Sequence, residues 1–226
     1  MIEALADTTV IVPARNEVAA IGAVVRSLRA LGAARVIVVD DASTDATAGE
    51  AQSAGAEVIR SRRRGYGWAC HAGAVAARGA PIIAFIDGDG SFDPEDLASL
   101  AKLIRGGADL ALGMRDRTPA MPRHQRLGNG LTLALLRVLY GLCLGDIAPL
   151  RAIRGDALDR LEMRPTRYAW LVEMLAKAAR RRLHVVAVPV RYGPRVGGVS
   201  KVSGSPRGSL LAGIDFFGAL LSYRRW

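Results

Sequence analysis

The chain reads as an α/β protein built on one mostly parallel central sheet with helices on both faces. Three observations point there. Short apolar runs of strand length alternate with helical patterns through the first half. Those runs are apolar at nearly every position, as strands covered on both faces must be. The polar clusters follow the runs directly, at the carboxyl ends where such sheets bind ligands. With 226 residues, 50% of them hydrophobic and 23% charged, the chain has apolar material for one large domain and is not a disordered segment.

The elements follow in order. Thr9–Val12 is a buried strand that Pro13 is expected to stop, and residues Glu17 to Leu31 carry helical periodicity. Arg35–Val39 is a second apolar strand ending in Asp40-Asp41. Ser43 or Thr44 can cap the helix after it, with Asp45 in its first turn. Glu57–Ile59 is a short third strand, Gly65 to Arg78 a loop and a helix, and Pro81–Ile86 a fourth strand. Another helix starts near Pro94, and Asp109–Leu112 is a fifth strand. Right-handed crossovers between these strands give the parallel sheet.

The second half reads differently. Arg123 to Gly141 and Tyr168 to Arg182 are helices, and Leu183 to Tyr192 is a strand. Residues 193–208 are rich in Gly, Ser and Pro and hold Arg195, Lys201 and Arg207 without an acid, which predicts a mobile basic loop. Ser209 to Trp226 closes as an amphipathic helix. No repeat or low-complexity linker divides the chain, so residues 1–226 are expected to form one domain with halves 1–115 and 116–226.

Charge narrows the partners. Lys and Arg number 31 against 21 Asp and Glu, and the net +10 favours anionic partners: phosphates, acidic membranes or nucleic acid. No helix-turn-helix, zinc-finger or RNA-stacking motif supports the last of these. Cys70 and Cys143 have neither metal-ligand nor redox spacing; a reducing compartment fits, although two cysteines can also pair. The first residues carry no basic or apolar leader, so export is not expected, and no run of 18 apolar residues spans a membrane. The mean hydropathy of +0.19 is high for a basic protein and leaves room for contact with a membrane surface.

Chemistry gathers at three strand ends: Pro13-Ala-Arg-Asn-Glu17, Asp40-Asp41 and Asp87-Gly-Asp89-Gly90-Ser91. Two carboxylates at the last of these suit a hard cation, Mg²⁺ or Mn²⁺, shared with substrate phosphate; a plain Asp-Gly turn is the alternative. Asp40-Asp41 is ambiguous in the same way, either a turn or a site for ribose and base hydroxyls. No Gly-x-Gly-x-x-Gly follows the first strand, and no Gly-x-x-x-x-Gly-Lys-Ser/Thr loop occurs. His71, His124 and His184 are too scattered for zinc, and His71 reads as structural.

In sequence the chain resembles the family 2 glycosyltransferases. The resemblance rests on Val10–Glu17, Val38–Asp45, Asp87–Gly90 and Gly113–Arg115, in the family's order and approximate spacing, and extends through Gly145–Ala152, Glu173, Val188–Val190 and Ser200-Lys201. The nearest branch is the dolichyl-phosphate mannose synthase-like enzymes. The resemblance implies a Rossmann-like GT-A fold and a nucleotide-diphosphate sugar donor. Pro13, Ala14, Arg15 and Glu17 would line the nucleotide pocket and Asp40 would hold base or ribose. Asp87 and Asp89 would match the family's Asp-x-Asp pair on Mg²⁺ or Mn²⁺, with Asp89 the direct ligand. Arg115 would meet the donor diphosphate or the acceptor phosphate, and Lys201 would close over the diphosphate. The chain departs from the branch at Ser91 (usually Gln), Arg15 (usually Tyr or Phe), Gly65-Tyr-Gly67 (usually Gly-Lys-Gly) and Pro149-Leu-Arg151 (usually Gly-Phe-Arg). It also lacks the multi-helix membrane tail of some relatives.

Such a transfer expels a highly charged leaving group, which a divalent cation with Arg115 and Lys201 would neutralise. Inversion needs an in-line nucleophile on the opposite face of the sugar. A polyprenyl-type lipid phosphate is already anionic and needs no strong base; a hydroxyl or glycan acceptor needs a carboxylate. Asp146 is the candidate for that carboxylate, with a helix cap or a partner for Arg151 as the alternative. The leucine-rich helix from Arg123 to Leu144 is core by default, but its basic start and the Arg224-Arg225-Trp226 end of the last helix also suit a membrane face. The expected location is the cytoplasm, peripheral at the inner face of the membrane.

Overall fold

The computed structural model describes residues 4–115, 123–197 and 206–225. Seven strands form one sheet: β1 (Thr8–Ala14), β2 (Arg35–Asp40), β3 (Glu57–Arg60), β4 (Ile82–Phe85), β5 (Leu110–Arg115), β6 (Arg151–Arg154) and β7 (Val185–Val190). Their spatial order is β3-β2-β1-β4-β6-β5-β7, and only β6 runs antiparallel to its neighbours. The helices are α1 (Ile21–Ala30), α2 (Thr47–Ser53), α3 (Tyr66–Ala76), α4 (Glu95–Arg105), α5 (Arg123–Tyr140), α6 (Gly155–Arg160), α7 (Trp170–Arg180) and α8 (Pro206–Ser222), and a 3₁₀ turn follows at Tyr223–Arg225. The expected α/β sheet is present, with its strands drawn from both halves of the chain.

Period-two geometry sorts the apolar runs onto two faces. Val10, Val12 and Ala14 of β1 pack with Val24, Val25 and Leu28 of α1 and with Leu97 and Leu100 of α4. Ile11 points the other way, into a layer with Ile37, Val39, Phe85 and Trp170. Every residue of β1 is buried. Truncating Ile11 to Ala would cost about 2–5 kcal/mol, the range for a fully buried branched side chain.

Several boundaries differ from the sequence reading. Pro13 does not stop β1: it pairs with Val39, and the strand ends one residue later. The first helix begins at Ile21 rather than Glu17, because Asn16 takes a left-handed φ of 52° and the Glu17 carbonyl accepts the Ala20 and Ile21 amides in a turn. Neither Ser43 nor Thr44 caps α2, which follows Ala46 without a side-chain cap. The Ser43 amide instead donates to Asp40 Oδ1 at 3.1 Å, and the Thr44 amide to Asn16 Oδ1 at 2.8 Å.

The strand β6 and the helix α6 were not foreseen. Arg-Ala-Ile-Arg is short and flanked by cations, a weak strand signal, yet Ala152 and Ile153 fill opposite core faces and Arg151 is wholly buried. The basic loop is shorter than expected, since Pro206–Gly208 belong to α8, and the remainder of it beyond Gly197 lies outside the described residues. Cys70 is buried and Cys143 exposed, both as free thiols. Among the described residues no helix is long and apolar enough to cross a membrane.

Candidate active site

The carboxyl ends of β1, β2 and β4 lie side by side, because parallel pairing of β1 with both neighbours brings their C-terminal loops to one rim. Pro13 and Ala14 are buried and form its floor; the Ala14 carbonyl accepts the Asp41 amide at 2.8 Å. Arg15 is half-buried above them. The turn after β1 is tied to the turn after β2: the Asn16 amide donates to Ser43 Oγ at 3.0 Å and the Glu17 amide to Thr47 Oγ1 at 2.8 Å. Asp40 and Asp41 are both buried. Asp41 accepts the Gly65 amide at 2.9 and 3.0 Å, and burial pushes its pKa above the ordinary value despite that bond.

Asp87 and Asp89 follow β4. Burial, and then the charge of Asp89, push Asp87 up to about 6. Tyr66, from the Gly65-Tyr-Gly67 segment, and the charge of Arg115 work in the opposite direction. Asp89 Oδ1 accepts both the amide (3.0 Å) and the hydroxyl (2.6 Å) of Ser91. The residue that departs from the mannose synthase pattern therefore fixes the rotamer of Asp89. Arg195 reaches in from the segment after β7, with Nη2 2.7 Å from Glu17 Oε1 and 3.4 Å from Asp89 Oδ2.

Arg115 at the end of β5 meets Asp146 as a two-pronged pair. Burial works against the charge on each, but the paired hydrogen bonds outweigh it, so Arg115 is raised and Asp146 lowered. The Arg115 guanidinium also lies 5.1 Å from the centre of the Tyr192 ring. Asp146 is thus neither a helix cap nor the partner of Arg151. Arg151 is instead held by the carbonyls of Ile147, Ala148 and Leu171, and burial lowers its pKa to about 10.

The donor set suits a hard divalent ion only in part. Asp87 and Asp89 offer carboxylate oxygen at one strand end, but among the described residues no three His, Cys, Asp or Glu side chains converge as a metal cage. That composition fits an ion completed by phosphate and water rather than by protein alone. Lys201 lies outside the described residues. His71 packs edge-on against Trp170, with ring centres 5.7 Å apart, as a structural residue would. The sequence reading did not single out Asn16, Tyr66, Tyr192 or Arg195. Arg195 was one of three cations in a loop, and nothing in the local pattern signals its return to Glu17, 178 residues earlier.

The fold and this rim define an α/β scaffold with an acidic rim at the carboxyl ends of its parallel strands. The chain belongs to glycosyltransferase family 2, whose model matches residues 9–162. It is 43% identical over 211 residues to an uncharacterised glycosyltransferase of Mycobacterium tuberculosis, covering 92% of this chain and 95% of that one. It is 32% identical over 226 residues to the undecaprenyl-phosphate mannosyltransferase of Micrococcus luteus, covering 92% of each. Polyprenol monophosphomannose synthase of Mycolicibacterium smegmatis is 32% identical over 216 residues, with 88% and 82% covered. In fold it is similar to glucosyl-3-phosphoglycerate synthase of Mycobacterium tuberculosis, solved with Mg²⁺ and UDP (TM-score 0.76, 23% identity, 96% of this chain and 78% of that one). The chain is therefore a hexosyltransferase with a GT-A fold.

Proposed function

We propose that the chain is a metal-dependent, inverting hexosyltransferase that moves a sugar from a nucleoside diphosphate to a polyprenyl-type lipid phosphate. The observation that carries this is the placement of Asp87 and Asp89 directly after β4, close enough for the charge of Asp89 and that of Arg115 both to act on Asp87, with Arg115 itself held by Asp146. Such a rim asks for phosphate to complete it. Relatives matched over nearly their whole length, and named for undecaprenyl-phosphate and polyprenol mannose chemistry, support the same acceptor class.

On this reading Asp40 binds ribose or base, while Pro13, Ala14, Arg15 and Glu17 form the nucleotide wall. Asp87 and Asp89 would hold Mg²⁺ or Mn²⁺, which would supply charge neutralisation for the departing diphosphate. Arg115 presents its charge to a phosphate, and Asp146 positions it. Both Asp146 oxygens lie on Arg115, an arrangement that suits positioning rather than proton removal. A phosphate acceptor needs no proton removed: its oxygen bonds to the anomeric carbon as the sugar–diphosphate bond breaks on the other side, and the electron pair leaves with the diphosphate. Lys201 would add a further cation to that leaving group.

On this reading the acceptor's lipid tail would lie against exposed apolar side chains. Leu127, Leu131 and Val138 of α5, and Ile214, Phe217 and Leu221 of α8, are exposed on two helices that pack together. No acid interrupts α5, and the one acid of α8, Asp215, is paired with Arg167. An apolar stripe with exposed Arg137 and Arg224 nearby suits peripheral contact with an anionic bilayer.

The test is a transfer assay. Labelled GDP-, UDP- and dTDP-sugars are supplied with Mn²⁺ or Mg²⁺ and undecaprenyl phosphate, and label is counted in the organic phase. The expected result is a labelled lipid with at least one donor. No label in the organic phase, with transfer instead to sugar hydroxyls supplied in a parallel reaction, would replace this acceptor with the other class.

A further inference from the structure

We infer that Arg195 is an internal cation that occupies the acidic rim and must release Asp89 before a divalent ion can settle there, so that metal and nucleotide bind as a pair rather than metal first. The inference rests on the reading of this rim as the metal and donor site.

The guanidinium bridges two acids from neighbouring strand ends, at 2.7 Å from Glu17 after β1 and 3.4 Å from Asp89 after β4. It is aimed there by its own backbone. Arg195 Nε donates to the Gly197 carbonyl at 3.0 Å, the Val196 amide to the Asp89 carbonyl at 3.0 Å, and the Gly193 amide to the Ser91 carbonyl at 2.8 Å. The segment's base is anchored as well, since Tyr192 bridges Phe92 and Arg191 pairs with Asp93 at 2.7 Å. Gly90 allows the close approach: it has a φ of 74°, and a Cβ there would lie 2.7 Å from Val196 Cγ2. Six residues thus lie over the Asp87–Ser91 turn as a strap, and its cation is inserted between the acids.

Charge decides the consequence. Arg115, the neighbouring cation, is committed to Asp146, whereas Arg195 forms the ion pair to Asp89 seen among the described residues. A hard ion takes carboxylate oxygen at about 2.0–2.2 Å, and a guanidinium on the same carboxylate repels it at a separation of a few ångströms. An ion that arrives with a diphosphate brings negative charge to offset that repulsion, and a bare ion does not.

The experiment is calorimetry with MnCl₂ alone on the wild type, Arg195→Gln and Arg195→Lys, with circular dichroism as the fold control. The expected result is at least tenfold tighter Mn²⁺ binding to Arg195→Gln than to the wild type, while Arg195→Lys, which keeps the charge, stays within about threefold of the wild type. Mn²⁺ binding to Arg195→Gln that is no tighter than the wild type would overturn the inference. So would an equal gain in Arg195→Lys. Because this comparison omits nucleotide, it succeeds or fails independently of a separate titration of nucleoside diphosphate with Mn²⁺, which tests the donor site itself.

Discussion

Arg115 and Asp146 face each other fork to fork, Nε to Oδ2 and Nη2 to Oδ1 each at 2.8 Å, with their side chains only 14% and 7% exposed. The pair joins the end of β5 to the loop before β6, so it belongs to the fold as well as to the chemistry. Asp146→Asn should leave a buried guanidinium without its counter-charge and lower stability at neutral pH by about 3 kcal/mol. The pH dependence follows from the lowered carboxyl of Asp146: its contribution is complete above the ordinary carboxylate value and is lost as pH falls through the lower folded one. Urea titrations should show wild type and variant far apart at pH 7 and converging below about pH 4. Parallel curves down to pH 3 would show that the charge on Asp146 does not stabilise the fold.

Glu173 and Lys177 form a second, wholly buried pair on α7, 2.8 Å apart. Lys177 also donates to the Glu162 carbonyl, and Glu173 accepts the Arg164 amide. Lys177→Met alone should cost about 3–5 kcal/mol, because a buried carboxylate loses its partner. Adding Glu173→Leu should recover at least half of that loss in chemical denaturation. A double variant as damaged as the sum of the two singles would mean that the charges are not coupled.

The exposed stripe on α5 and α8 makes its own prediction. In flotation with vesicles containing phosphatidylglycerol, Val138→Glu with Phe217→Glu should reduce bound protein at least fivefold. Thermal stability should be nearly unchanged, since Val138 is 79% and Phe217 47% exposed. Equal flotation of variant and wild type would move the lipid contact elsewhere.

Strands β1, β2 and β4 were legible because they are buried on both faces and announce themselves as unbroken apolar runs, as in residues 10–12 and 36–39. The rim was legible for a related reason: a polar cluster directly after such a run can only sit at the strand's carboxyl end. What escaped notice depends on distance. The strand β6 is four residues that begin and end in arginine, and its pairing partners lie far along the chain. Asp146 could be named as a carboxylate near the site, but its choice of Arg115 over Arg151 is set by tertiary packing. Ser43 and Thr44 are good capping residues whose polar groups are claimed by the β1–β2 rim instead. Arg195 gave no local signal, because its partners are set by where the strap crosses the sheet.

The central claim is that the two acids after β4 bind a metal–nucleotide. Its most direct test is calorimetric titration of GDP, UDP and dTDP, each with Mn²⁺, into the wild type and into Asp89→Ala. The expected result is saturable, Mn²⁺-dependent binding of at least one nucleotide to the wild type and at least a hundredfold loss in Asp89→Ala, with the melting temperature little changed. Equal affinity in the two proteins, or binding indifferent to Mn²⁺, would contradict it.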